Sequence, residues 1–140
     1  MRVVFDTSVV VAASRSRAGA SFLLVSSIPS ESFRPCLSVA LYAEWQQALS
    51  RQENRPVGAS AELAAGFLRF IASQCHLQEI YFLWRPFLKD ADDDTVLELA
   101  VAARCGIIVT HNVRDFAGAD RFGIEPMVPG DFLRMIRGTR

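Results

Sequence analysis

Acidic side chains are concentrated in one short stretch of this chain. The segment "FLKDADDDTVLELAVAA" holds four aspartates within five positions, and an apolar, alanine-rich run follows them directly (Asp90, Asp92, Asp93 and Asp94). One aspartate can cap a helix, and acids in a first helical turn interact favourably with the helix dipole. These effects explain one or two aspartates but not four. Crowded carboxylates repel each other and a divalent cation relieves that repulsion, so the cluster indicates a metal site.

Other polar side chains occur where strands are predicted to end. Asp6 closes the run "RVVFD", while Asn112 and Asp115 follow the run "GIIVT". Glu44 lies one to two turns inside the helix after the second strand. Each has an ordinary alternative, since Asp6 can cap a helix, glutamate is usually exposed, and Asp115 can form a turn. Together they favour one acidic site for Mg²⁺ or Mn²⁺, which prefer oxygen ligands.

The elements that must position these residues alternate between strands and helices. Strands are predicted in "RVVFD", "SFRPCLS", "HLQEIYFLW", "GIIVT" and "GIEPMVP", with helical segments between them and "QENRPVGAS" as a polar linker. Alternation predicts a parallel sheet covered on both faces, in which sites form beyond the carboxyl ends of the strands. The 140 residues suit one domain spanning 1–140.

Two predicted helices carry clear apolar positions. Ser38 is expected to cap "VALYAEWQQALSR", with Val39, Tyr42, Trp45 or Gln46, and Leu49 on its apolar face. The helix from 60 to 75 is expected to bury one side, formed by Leu63, Phe67, Phe70 and Ile71. This chain is rich in apolar residues for its size, so some of them are expected to meet a partner, either a second copy in a homodimer or another protein. The alternative is that all of them fill the core.

Charge and cysteine usage exclude several classes. The net charge is zero, so no overall basic character indicates nucleic acid, although the arginines are clustered and the chain has a single lysine, Lys89. Three widely spaced cysteines without a CxxC motif predict reduced, buried thiols and no structural zinc (Cys36, Cys75 and Cys105). No run is long enough for a membrane span, and the aspartate inside the first apolar run argues against a signal peptide, so a cytoplasmic protein without membrane contact is expected.

At this point the chain resembles a known family. The blocks "VVFDTSVVVAA", "LSVALYAEWQQALSR", "DADDDTVLELAVAARCGIIVTHNVRDF" and "FGIEPMVPGDFLRMI" resemble the successive blocks of PIN-domain nucleases, in particular the toxin components of toxin–antitoxin systems. The resemblance covers nearly the whole chain, and the order and spacing of the blocks are more specific than any one block. It implies a three-layer α/β/α fold with a central parallel sheet of about five strands in the order 3-2-1-4-5.

The resemblance also implies a function and its residues. The family members are typically Mg²⁺- or Mn²⁺-dependent ribonucleases, so an RNA substrate and a cognate antitoxin are implied. Asp6 matches the first acid and Glu44 the second, and the third falls on Asp93, with Asp94 as the near alternative. Asp92 is then expected to cap the helix. On this interpretation Asp90 is a loop residue.

The fourth acidic position departs from the family pattern. Many members carry aspartate after the threonine of "VTHN", but here Thr110 is followed by His111 and then Asn112, with Asp115 three residues further on. We expect Asp115 to supply the fourth carboxylate through a water, and Asn112 to orient it or the substrate phosphate. Ser8 stands where the family often has asparagine, and its hydroxyl can still hydrogen-bond a carboxylate. Metal ligation is thus expected from Asp6, Asp93 and Asp115, with Ser8, Thr110 and Asn112 around them.

Rival functions fit the residues less well. Phosphatases with an aspartyl nucleophile need a second aspartate two residues after the first, where this chain has Ser8. A phosphoreceiver domain needs a lysine after a late strand, but Lys89 precedes the acidic cluster. Neither His76 nor His111 has an evident catalytic partner in the sequence. The serious alternative is a PIN-like domain that binds RNA or protein without cutting, and Asn112 is its best support.

Overall fold

The computed structural model of the chain describes residues 1–55, 60–81, 87–88 and 90–138. Parts of two sequence-based assignments lie outside these residues, namely 56–59 of the polar linker and 82–84 of the predicted third strand. Lys89 also lies outside them.

Five short strands form one parallel sheet in the order β3-β2-β1-β4-β5, which confirms the order that the family resemblance implies. β1 is central, and its residue Val3 pairs with Pro35 of β2 on one side and with Ile107 of β4 on the other. The strands are β1 Arg2–Phe5, β2 Arg34–Leu37, β3 His76–Leu77, β4 Ile107–Val109 and β5 Glu125–Met127.

Within the described residues, six α-helices alternate with the strands. The hydroxyls of Ser38 and Ser60 cap the third and fourth helices by accepting hydrogen bonds from the amides of Leu41 at 3.2 Å and Leu63 at 3.1 Å. The Ser38 cap confirms the predicted start of the third helix. The helices are α1 Thr7–Arg15, α2 Ala20–Ser26, α3 Val39–Ser50, α4 Ala61–Gln74, α5 Ala91–Ala102 and α6 Pro129–Gly138, and short 3₁₀ turns span Gln52–Asn54, Val113–Phe116 and Ala119–Phe122.

The central strands of the sheet are buried on both faces. Val3, Val4 and Phe5 are consecutive residues of β1, so they point alternately to opposite faces, yet all three are fully buried. α5 packs against β1, β2 and β4. The Phe33 ring meets the Phe5 ring edge-on at 5.9 Å and the Phe132 ring of α6 at 5.3 Å. Burial of both faces is typical of parallel sheets and explains the unbroken apolar runs of β1 and β4.

The apolar face of α4 differs from the predicted one. Leu68 and Ile71 are buried as a stripe that packs towards the core, whereas Leu63 and Phe70 are 69% and 51% exposed. Leu63 and Phe70 are seven residues apart and lie along a neighbouring stripe of the helix. The predicted side was therefore right for Ile71 and for the half-buried Phe67, which packs against the core, but wrong for Leu63 and Phe70. Part of the apolar surface of α4 is therefore open, as the excess of apolar residues suggested.

The prediction for the apolar face of α3 was wrong at Val39. Val39 is 89% exposed at the first position of the helix, and Leu41 is buried instead, beside Trp45 and Leu49. Leu41, Trp45 and Leu49 are spaced by four, so they share one side of the helix.

The three cysteines are free and buried, which confirms the prediction of reduced, buried thiols. Burial raises the pKa of the Cys75 thiol to about 12. Since the thiolate is the reactive form, Cys75 is held in its unreactive form at neutral pH.

No single helix among the described residues is both long and apolar enough to cross a membrane. The adjoining helices α1 and α2 reach that length and hydropathy only as a pair, and they meet at an angle of 98°. Their apolar residues Val9, Val10, Leu24 and Val25 belong to the core of the fold.

Candidate active site

Asp6 is fixed at the carboxyl end of β1 by two hydroxyl groups. It precedes α1 at the N-cap position, but its carboxylate caps no backbone amide of that helix. Instead, Ser8 Oγ and Thr110 Oγ1 donate hydrogen bonds to its Oδ2 atom, at 2.8 Å and 2.7 Å. No hydrogen bond from a described residue reaches Oδ1. Helix capping therefore does not explain Asp6.

The same two hydroxyls tie the loop after β4 to Asp6. The backbone amide of His111 donates to Ser8 Oγ at 3.1 Å, and that of Asn112 donates to Thr110 Oγ1 at 3.0 Å. Each hydroxyl thus donates to the carboxylate and accepts from the loop. Ser8 and Thr110 lie beside Asp6, where the sequence placed them.

Glu44 projects from α3 towards Asp6 rather than into solvent. It is half-buried, and the hydroxyl of Thr7 donates a hydrogen bond to its Oε2 atom. Burial raises the pKa of Glu44 to about 7, with the charges of Asp92 and Asp6 adding to the effect and the Thr7 hydrogen bond opposing it. In the metal-free chain, Glu44 therefore loses its proton at a higher pH than an ordinary glutamate.

Asp93 has a similar environment at the start of α5. Its side chain is half-buried. Burial raises the pKa of Asp93 to about 7, and the nearby charges of Asp6, Asp90 and Asp115 raise it further. Because the charges of Asp6 and Asp115 affect the pKa of Asp93, carboxylates from three segments of the chain lie near each other.

The cap of α5 is Asp90, not Asp92. The helix begins at Ala91, and Asp90 Oδ1 accepts a hydrogen bond from the amide of Asp92 at 2.8 Å. The predictions that Asp92 is the cap and Asp90 a loop residue were therefore wrong. The helix starts earlier than expected, which frees the Asp92 side chain to lie near Glu44.

Asp94 supports the preceding loop instead of the cleft. It is 1% exposed, and its carboxylate accepts hydrogen bonds from the amides of Leu88 at 2.8 Å and Phe87 at 3.3 Å. Successive helical residues point about 100° apart, so Asp93 and Asp94 cannot face the same place. Asp93 lines a cleft together with Asp6, Glu44 and Asp115, and Asp94 does not line it. Glu98, one turn further along α5, is buried as well.

Six carboxyl groups line one open cleft with a volume of about 280 Å³, which we call the acidic cleft. They come from the end of β1, from α3, from the start of α5 and from the turn after β4. No salt bridge between described residues involves any of the six, although Arg51 also lines the cleft. The six are Asp6, Glu44, Asp90, Asp92, Asp93 and Asp115.

Asn112 and Asp115 both reach the acidic cleft from the turn after β4. Both are exposed, and the amide of Asp115 donates to the carbonyl of Asn112 at 3.0 Å. Phe116 is buried and anchors this 3₁₀ turn in the core, as expected. The turn therefore presents an amide and a carboxylate to the cleft together.

The donor set suits Mg²⁺ or Mn²⁺, because carboxylate and amide oxygens are the ligands these ions prefer. Unneutralised carboxylates with raised pKa values are also what a cation would stabilise. The present spacing is looser than a formed site, since no three His, Cys, Asp or Glu side chains of the described residues are grouped closely enough to hold an ion. The carboxylates thus share a cleft without forming a finished coordination sphere, and water would have to complete it.

Several contacts of this region were not predicted from the sequence. His111 Nε2 hydrogen-bonds to the buried Ser21 Oγ at 2.9 Å, although no partner for His111 was evident. Gln47 and Arg51 also line the acidic cleft. Their signal was available, because they follow Glu44 by three and seven residues and such residues share a helix face. The Ser21 contact spans 90 positions and has no comparable sequence signal.

The raised pKa values of Glu44 and Asp93 predict a loss of stability with rising pH in the metal-free protein. Both carboxyls have a folded pKa of about 7, above their ordinary values of 4.5 and 3.8, so the folded state binds more protons between about pH 4 and pH 7. The free energy of unfolding must therefore fall across this window, by about 1–2 kcal/mol in total once solvent screening is allowed for.

Thermal melts in EDTA from pH 5 to pH 8 would measure this loss. A Glu44→Gln/Asp93→Asn double variant isolates the two carboxyls, because both of its side chains are uncharged at every pH. We expect the wild type to lose about 5 °C more than the double variant across the range. Parallel curves would show that the two carboxyls titrate normally.

Solved structures share this fold at low sequence identity. One is the crystal structure of VapBC2 from Rickettsia felis bound to a DNA fragment from the VapBC2 promoter. A chain of that structure superposes with a TM-score of 0.62 at 14% sequence identity, and the match covers 90% of this chain and 97% of that chain. A chain of VapBC-1 from nontypeable Haemophilus influenzae gives 0.61 at 15% identity, over 93% and 99%. No curated protein matches the sequence. The family model for the PIN domain matches residues 2–114, most of the chain. The chain therefore belongs to the PIN domain family.

Proposed function

We propose that this chain is a Mg²⁺- or Mn²⁺-dependent endoribonuclease and the toxin component of a toxin–antitoxin pair. The observation that carries this proposal is the acidic cleft, where six carboxyl groups from four separate segments meet without a salt bridge from any described residue. Holding like charges close together lowers the stability of a fold. A bound cation would relieve this repulsion, and it could also act on a phosphodiester.

Asp6 and Asp93 are the residues we propose to hold the ion directly, with Asp115 acting through water. A bound ion would polarise the substrate phosphate and lower the pKa of a bound water. Ser8 and Thr110 hold the Asp6 carboxylate in one orientation through Oδ2, which leaves Oδ1 without a hydrogen bond from the described residues. Glu44 lines the same cleft on the α3 side, where its carboxylate is placed to accept a proton from a water in the cleft.

A protein partner is part of this proposal. The sequence resembles toxin components, and the two solved structures named above are of VapBC2 and VapBC-1. We propose a cognate antitoxin as one partner, and a second copy of the chain as another. The open apolar stripe of α4, with Leu63 and Phe70 exposed, provides surface for such contacts. A cytoplasmic location would suit an enzyme that acts on cellular RNA.

A PIN-like domain that binds RNA or protein without cutting is the second candidate. Two observations favour it. Asn112 provides an amide where many family members have a carboxylate, and no three metal-binding side chains of the described residues are already grouped for an ion. A neutral amide is a weaker ligand for Mg²⁺ than a carboxylate.

Incubation of the purified protein with end-labelled RNA separates the two candidates. We expect cleavage with Mn²⁺, none with EDTA, and recovery when Mn²⁺ is added back in excess. A DNA oligonucleotide of the same base sequence tests whether the substrate is RNA. Retention of intact RNA on the protein under all metal conditions would favour the non-cutting candidate.

The turn after β4 offers a prediction for the fourth ligand. Asp115→Asn is expected to lower kcat/KM by about 10- to 100-fold, the usual effect of removing an outer partner of a metal site. Asn112→Ala should cost less than about fivefold, because the amide only orients its neighbours. Raised Mn²⁺ should partly restore Asp115→Asn, since weakened binding is overcome by concentration. A silent Asp115→Asn beside a damaging Asn112→Ala would reverse the two assignments.

A further inference from the structure

A second cavity, of about 330 Å³, lies among α1, α2, α4 and the residue that follows the 3₁₀ turn Gln52–Asn54. Three arginines line it, Arg15, Arg17 and Arg55, and no acidic residue of the described chain does. We call it the arginine pocket. Its charge is opposite to that of the acidic cleft, so it suits an anion.

Arg55 is the strongest indication of a ligand. Its Nε and Nη1 atoms are buried, and no described residue accepts a hydrogen bond from either. A guanidinium stays charged at any physiological pH, so its buried N–H groups carry a desolvation cost that only an acceptor removes. The Nε–H and Nη1–H groups lie on opposite edges of the planar guanidinium, so they suit two separate acceptor oxygens of an anionic ligand that carries several of them, such as phosphate groups. Arg15 and Arg17 form no salt bridge with a described residue, so they add uncompensated positive charge.

Helix α1 runs from the acidic cleft to the arginine pocket. Thr7, at the start of α1, lines the cleft, and Arg15, at its end, lines the pocket. The helix rise puts these ends about 12 Å apart. On the other side of this path, Arg51 lines the cleft, the turn Gln52–Asn54 packs against α1, and Arg55 reaches the pocket. A few nucleotides of extended strand would cover this distance.

The remaining lining suits a nucleotide better than a bare phosphate. Phe22 and Phe67 are half-buried in the pocket wall, and Leu63 is exposed beside them. Sites for single-stranded nucleic acid combine cations for the backbone with aromatic rings for the bases. We propose that the arginine pocket binds phosphate groups of the single-stranded RNA whose scissile bond lies in the acidic cleft. This inference rests on the proposed ribonuclease function and assigns its substrate a second binding site on the protein.

Fluorescence anisotropy with a labelled single-stranded RNA tests this site, in EDTA so that nothing is cut. Arg55→Gln and the double variant Arg15→Gln/Arg17→Gln are compared with Arg137→Gln, an exposed arginine of α6 outside both sites. We expect each pocket variant to bind about tenfold more weakly. The slope of log affinity against log salt should fall by about 0.7 for each phosphate that the variant no longer neutralises. Arg137→Gln should match the wild type in both quantities.

Cleavage of a long and a very short RNA locates the arginine pocket along the bound strand. In Mn²⁺, the pocket variants should raise KM for the long RNA and leave kcat unchanged, since a remote interaction binds ground state and transition state alike. On an RNA too short to reach from cleft to pocket, variants and wild type should have the same kcat/KM. If Arg55→Gln lowers the melting temperature, the Arg15→Gln/Arg17→Gln variant provides the test, because both of its substituted residues are exposed.

The outcomes separate this inference from the function on which it rests. Wild type that neither binds nor cuts RNA would overturn both. Wild type that cuts RNA, with pocket variants that bind and cut the long substrate equally well, would overturn the role of the pocket alone. In that case an acidic segment of a protein partner becomes the ligand that the pocket's charge fits.

Discussion

Asp6→Asn is expected to abolish RNA cleavage while leaving the fold intact. Asparagine keeps an oxygen that can accept from the hydroxyls of Ser8 and Thr110, so the ties to the loop after β4 persist. It lacks the charge that makes a carboxylate a strong ligand for a hard cation. Metal ions contribute several kcal/mol to transition states of this kind, and each 1.36 kcal/mol is tenfold in rate. We therefore expect a loss of kcat/KM of about 100-fold or more.

Stability measurements decide what the loss of activity means. In EDTA, Asp6→Asn should melt at or above the wild-type temperature, because the charge of Asp6 raises the pKa of Glu44 and Asp93 and its removal relieves that repulsion. Asp131→Asn is the matched control, since Asp131 is a surface carboxylate paired with Arg134 on α6. It should affect neither activity nor melting. A large drop in the melting temperature of Asp6→Asn would mark Asp6 as a structural residue instead.

The neighbours Asp93 and Asp94 should give opposite results. Asp93→Asn removes a half-buried carboxylate from the acidic cleft, so activity should fall by about 100-fold or more with no loss of metal-free stability. Asp94→Asn leaves the cleft alone but keeps only one of the two oxygens that accept from the amides of Leu88 and Phe87. It should cost about 1–3 kcal/mol of stability with most activity retained at low temperature.

Paired melting curves and cleavage rates of the two variants provide the measurement. Each variant serves as the control for the other, because the same change is made one residue apart in one helix. If Asp94→Asn were inactive but stable, and Asp93→Asn active, the metal-facing side of α5 would have been assigned wrongly.

The arrangement of the acids was largely predictable from the sequence. Asp6 and the turn holding Asp115 follow buried strands, and the carboxyl ends of parallel strands meet at one edge of the sheet. The alternation of strands and helices predicts the parallel sheet itself. The order of its strands does not follow from that alternation, and the family resemblance provided it.

Helix boundaries and packing partners were the parts that the sequence could not provide. Whether Asp93 or Asp94 faces the cleft depends on where α5 begins, and one residue turns a side chain by about 100°. The cap fell on Asp90 because the start of α5 lies at Ala91. Likewise, two apolar stripes run along α4, and only the tertiary contacts select Leu68 and Ile71 over Leu63 and Phe70.

The most direct test of the metal-dependent site is a crystal structure of the protein soaked in Mn²⁺, with anomalous diffraction measured to locate the ion. We expect an anomalous peak in the acidic cleft, from an ion bound by the carboxylates of Asp6 and Asp93, and no such peak in Asp93→Asn crystals under the same soak. A peak only outside the cleft, or an empty cleft at millimolar Mn²⁺ in the wild type, would contradict this expectation.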